Sequence, residues 1–155
     1  MYLDVISFNK GGDVKMNEIF KELFKYGFHD TEITNILIDK FEVKINFDNG
    51  LYILDKNGKE TILSDPISLV LNIKSYVNSV ENCIEIREFG KKTAYIDFKK
   101  FQKQFKNGPF SVAMNYVGVF NNSILFDGGF LGKQIIFSIE EIDSISISRY
   151  SKRSN

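Results

Sequence analysis

Any acid–base or metal chemistry in this chain has to begin at His29, the only histidine among its 155 residues. Asp30 and Glu32 follow it, so one nitrogen and two carboxylates lie close together in sequence. A single histidine excludes a histidine-pair metal site and a second catalytic histidine. Zinc and iron centres draw on more histidine or cysteine than the chain carries. A cap on the turn before the first long strand accounts for Asp30, since Asp side chains bond their own local backbone. Cys83, the only cysteine, precedes Ile84-Glu85-Ile86 in a strand-like run, where a free thiol packs as a small hydrophobe. No serine lies in a Gly-x-Ser-x-Gly elbow, and triad chemistry would have only His29 as its base. The stretch Gly128-Gly129-Phe130-Leu131-Gly132-Lys133 has the wrong spacing for a phosphate loop. Gln134 stands where Ser or Thr is required, and a strand follows instead of a helix N-terminus, so the stretch reads as a hairpin loop. Glu85 with Glu88, and Glu140 with Glu141, read as solvated charge; adjacent strand positions face opposite sides. The expectation is no catalytic residue, no metal and no cofactor.

Two groups of residues remain as candidate surfaces. Over residues 98–105, Phe98, Phe101 and Phe105 recur on one face of a helix, with Lys99, Lys100, Lys103 and Lys106 turned away. Such a ridge can steer an acidic protein partner; it also fits an ordinary solvated face over three buried phenylalanines. The second group is His29, Asp30 and Tyr116, the residues to inspect for a pocket lined by Phe and Tyr that would hold a small ligand or do chemistry.

The elements that position these groups are mostly strands. Residues 16–26 place Ile19, Phe20, Leu23 and Phe24 at helical spacing, and Gly27 supplies a left-handed stop. A loose strand is expected over 32–38. Phe41, Val43, Ile45 and Phe47 then alternate with Glu42, Lys44, Asn46 and Asp48, the period-two signature of a half-buried strand. Asn49-Gly50 turns the chain into a return strand at 51–54. A second turn at Asp55 to Gly58 leads into 60–63, which together read as a meander. Further strands are expected at 67–73, where a helix is also possible, and at 83–87, 93–96, 112–120, 123–127, 134–139 and 142–148. Phe89-Gly90-Lys91, Asn121-Asn122 and Asp127-Gly128-Gly129 are read as turns. An opening strand at 2–8, a turn at Gly11-Gly12-Asp13 and a frayed tail over 149–155 complete the reading. The fold class is therefore α+β: mainly antiparallel sheet, as a meander or partly open barrel, with two short amphipathic helices. No linker or repeat interrupts it, so one domain spans residues 1–155.

Composition agrees with a globular chain of this kind. Hydrophobic residues make up 43%, with 15 Phe, 2 Pro and no Trp, a balance that suits strands. Twenty basic and twenty acidic residues cancel, which argues against nucleic acid and anionic membranes as partners. A local basic stretch stands out over residues 87–106, with seven Lys or Arg against Glu88 and Asp97. The lone cysteine fits a reducing compartment, and no signal peptide or membrane-spanning run is found, so a cytoplasmic protein is expected.

Phe28-His29-Asp30, then Glu32-Ile33-x-x-Ile36 and an alternating strand ending in Asp48-Asn49-Gly50, resembles the small bacterial proteins of polymorphic-toxin loci. The likeness is to predicted immunity proteins that open with an aromatic-His-Asp step before a β-meander, and it covers residues 26–75. It implies a cytoplasmic, non-enzymatic protein that occludes a cognate toxin, with an adjacent gene as the place to look for it. The readings in play are thus an immunity-type binding protein, a ligand-binding or enzymatic domain centred on His29, and an accessory oligomer joined through a sheet edge.

Overall fold

The computed structural model describes residues 18–90 and 92–150. The strand expected at 2–8, the turn at Gly11-Gly12-Asp13 and residues 151–155 of the tail lie outside them. In chain order the described strands are β1 (Tyr26–Gly27), β2 (Glu32–Ile33), β3 (Asn35–Asp39), β4 (Glu42–Phe47), β5 (Tyr52–Leu54), β6 (Glu60–Leu63) and β7 (Ile67–Ile73). After them come β8 (Ile84–Phe89), β9 (Ala94–Tyr95), helix α1 (Phe98–Gln104), β10 (Phe110–Gly118), β11 (Ser123–Phe130), β12 (Lys133–Ile139) and β13 (Ile142–Arg149). The described residues are mostly antiparallel sheet, and among them no sheet closes into a barrel.

The pairings form a six-stranded sheet (β2-β10-β11-β12-β8-β9), a four-stranded sheet (β13-β7-β4-β3) and a three-stranded sheet (β1-β5-β6). Alternation decides which side of each strand is buried. Val43, Ile45 and Phe47 of β4 are fully buried, as are Ile124 and Phe126 of β11 and Phe137 and Ile139 of β12. The two larger sheets meet through these side chains: Phe47 and Phe126 have ring centroids 6.4 Å apart, and Phe28 wedges in at 5.6 Å from Phe47 and 5.9 Å from Phe126. The chain changes sheets at Thr34 and again at Glu140-Glu141. Thr34 bonds Asn46 O through its backbone N (2.8 Å) and its hydroxyl (3.1 Å). Glu141 makes the second corner with φ 58°.

Helix α1 closes the apolar interior beside β3 and β8. Asp97 caps it, its carboxylate accepting from Lys100 N at 3.2 Å. Phe101 is fully buried within 6.4 Å of four other phenylalanine rings (Phe105, Phe110, Phe130 and Phe137). Gln102 Nε2 donates to Ile36 O of β3 at 2.8 Å, which fixes the helix against the edge of the four-stranded sheet.

Several expectations are corrected. Within the described residues the first helix is a 3₁₀ turn over Lys21–Lys25, where Phe20 and Leu23, three apart, are both buried. Gly27 is no helix stop; it lies in β1 opposite Tyr52. The strand expected at 32–38 is two strands in different sheets, split at Thr34, so that Ile33 and Ile36 point inward and Leu37 outward. After Asn49-Gly50 the chain does not return along β4: β5 pairs with β1 and β6, while β4 pairs with β3 and β7. The consecutive meander is β10-β11-β12. Asp127-Gly128-Gly129 lies inside β11, and the turn falls at Leu131-Gly132, with φ 52° and 79°. Arg149 and Tyr150 are not frayed: Arg149 pairs with Ile67, and Tyr150 N bonds Pro66 O at 3.0 Å.

Candidate functional site

His29 sits in a tight turn, with Thr31 N bonding Phe28 O at 3.1 Å and Asp30 at φ 60°. Its imidazole is largely exposed, and both nitrogens are engaged. Nδ1 lies 2.6 Å from Ala113 O, and Nε2 lies 3.3 Å from Asp30 Oδ2. Ala113 is the extra residue of a β-bulge, where the β10–β11 register slips between Val112 and Met114. A bulge leaves a residue outside the ladder, and the histidine N–H serves its carbonyl. Asp30 N and Val112 N complete the join, bonding Val112 O (2.9 Å) and Thr31 O (2.8 Å).

Of the three residues expected to form a pocket, only His29 lines the neighbouring recess. That recess holds about 310 Å³ between Phe24, Tyr26, Leu54 and Glu60. Asp30 touches His29 but does not line the recess, and Tyr116 belongs to β10, where its hydroxyl lies 3.0 Å from Met114 Sδ. The trio is not brought together.

The other candidate nucleophile and acids have structural places. Cys83 is buried, and burial, reinforced by the Glu141 and Glu140 carboxylates, pushes its thiol up and keeps it protonated. Glu141 accepts from the Tyr76 hydroxyl and lies 3.8 Å from Lys74 Nζ. Glu85 pairs with Arg87 at 3.1 Å, and Glu88 with Lys133 at 3.3 Å. Among the described residues no three His, Cys, Asp or Glu side chains are grouped so as to hold a metal ion.

The lysines are displayed together. Lys99, Lys100, Lys103 and Lys106 are all exposed on α1 and the 3₁₀ turn that extends it (Phe105–Asn107). None has a carboxylate oxygen within 4 Å among the described residues, whereas Lys25, Lys74 and Lys133 each do. The buried phenylalanines beneath and the Gln102 bond to β3 hold this face in a fixed position.

Residues outside these groups complete the surface. Lys103 and Lys106 line a recess of about 440 Å³ with Asn35, Leu37 and Phe105. A further recess of about 510 Å³ lies over the outer face of the four-stranded sheet, with Leu37, Lys44 and Val70 among its walls. The outward position of Lys44 follows from alternation in β4. That of Leu37 does not, because it depends on the break at Thr34. Fold and surface together define an antiparallel protein of three sheets with a basic helix docked at the edge of the four-stranded one. Compared with known protein families, curated proteins and solved structures, the chain matches none. Among the described residues no helix is long and apolar enough to cross a membrane.

Proposed function

We propose that this is a non-enzymatic cytoplasmic binding protein that occludes an acidic surface of a protein partner, an immunity-type factor acting on a toxin. The observation that carries the reading is the set of four exposed lysines, with no carboxylate oxygen within 4 Å among the described residues, on a helix fixed from beneath. Ammonium groups displayed on a fixed backbone attract carboxylates with no backbone ordering to add to the side-chain cost, which favours fast and specific association. His29 has a structural task that needs no chemistry: its Nδ1 lies 2.6 Å from the bulge carbonyl Ala113 O and ties the turn to β10.

The test is co-expression with the product of the adjacent gene and co-purification at moderate salt. The expected result is a stoichiometric complex that the charge reversal Lys99→Glu/Lys100→Glu/Lys103→Glu weakens. A complex indifferent to that reversal removes the lysine face. No complex with a well-folded partner removes the immunity reading.

A further inference from the structure

The lysine helix borders a longer feature. The recess beside α1 and the recess over the four-stranded sheet adjoin at Leu37, which is 41% exposed and lines both, so they make a groove in two parts. Lys103 and Lys106 stand at one end. Lys44 stands on the other side of Leu37, directly across from it in the β3–β4 register, with Val70 beyond in the β4–β7 register. The floor between these cations is Leu37 and Phe105, and Val70 lies past Lys44. None of the three ammonium groups has a carboxylate within 4 Å among the described residues. Glu42, two residues before Lys44, closes the far end to further negative charge.

We infer that this groove takes an extended segment of the protein partner in which an apolar side chain sits between acidic ones. The inference rests on the binding-protein reading and adds the chemistry of the occupant. Carboxylates on either side of the apolar residue reach Lys103 and Lys106 at one end and Lys44 at the other, while the apolar residue covers Leu37. A small molecule would be left mostly in water by so open a trough, whereas an extended chain spans it. The segment does not add a strand to β3 at Ile36. Ile36 N is taken by Asn35 Oδ1 at 2.9 Å and Ile36 O by Gln102 Nε2 at 2.8 Å, so recognition runs through side chains.

A random 12-residue phage-displayed library panned on the intact protein tests this, followed by fluorescence anisotropy of the selected peptide. Circular dichroism melts check that each variant is folded. Enrichment of an acid–apolar–acid motif is expected. Binding should weaken at least about tenfold in Leu37→Asp, in Lys44→Glu and in Lys103→Glu/Lys106→Glu, and much less in Lys99→Glu/Lys100→Glu. No enrichment, or enriched motifs without acidic residues, overturns the groove. If Lys99→Glu/Lys100→Glu abolishes binding while Leu37→Asp and Lys44→Glu leave it intact, the groove is wrong and the helix-borne reading stands. If an enriched peptide ignores every lysine, both fall.

Discussion

Beside the bulge at Ala113 the register sets Val112 against Gly128, and the space there admits no side chain. A Cβ on Gly128 would stand 2.0 Å from Ser111 O and 2.8 Å from Phe110 Cε1, with the backbone atom unable to swing away. The next residue, Gly129, has nothing within 4 Å of the same position. Gly128→Ala should therefore destabilise by about 1–3 kcal/mol, as overpacking does, while Gly129→Ala changes little. Urea denaturation of the pair checks this, and equal midpoints would refute the close approach. The sequence Asp127-Gly128-Gly129 reads as a turn because local propensity carries no trace of a partner strand pressing on one glycine. His29 is similar: its neighbours suggest a pocket, but its acceptor lies 84 residues away. Tyr150 carries the pH dependence at this scale. Burial first, then the hydrogen bond it donates to Asp48 and that carboxylate's charge, push its phenol above the ordinary range of about 10. On raising the pH the unfolded chain therefore loses this proton before the folded one. The stabilisation is complete below about pH 10 and is lost as pH climbs toward the folded value. Tyr150→Phe should make the alkaline fall in urea midpoint shallower without removing it, because Tyr76, bonded to Glu141, is shifted the same way.

Helix α1 has seven residues, too few to persist by propensity, so its stability comes from what it covers. Phe101→Ala should cost about 3–5 kcal/mol, since it empties a fully buried site among other phenylalanine rings. Asp97→Ala, which removes only a partly exposed cap, should cost about 1 kcal/mol. Thermal melts would contradict this view of the helix if the two losses were equal. The element was legible because three phenylalanines and four lysines separate cleanly at helical spacing. The strands β4, β7 and β10 to β13 were legible from period-two alternation, which survives wherever one face is buried. Which strands pair was not. Asn49-Gly50 carries the composition of a hairpin turn, but Gly50 at φ 82° lies against Ser64 O and sends the chain into another sheet. The exposed position of Leu37 was hidden by the same non-local logic, and with it half of the proposed groove.

At the scale of the whole molecule, the proposed binding turns on whether that groove exists before a partner arrives. Its floor rests on β4 and β7, each paired on both edges, with Val43, Ile45, Leu69 and Leu71 fully buried beneath. Its helical wall is held by the phenylalanine cluster that also fills the six-stranded sheet. By contrast β6 is an outer strand with every residue exposed, including Ile62 at 68%, and β9 is a two-residue edge. Amides in strands of the first kind open only with the global core, whereas those of the second kind fray locally. Hydrogen exchange should accordingly find the slowest amides in β4, β7, β11 and β12 and fast ones in β6 and β9. Protection of β4 and β7 to the level of global unfolding means that the lysines and Leu37 are presented on a preformed base, so association loses little to ordering. Exchange in β4 and β7 as fast as in β6 would mean the opposite: the groove would form only on binding, and its affinity would fall in proportion to the fraction of molecules in which it is already formed.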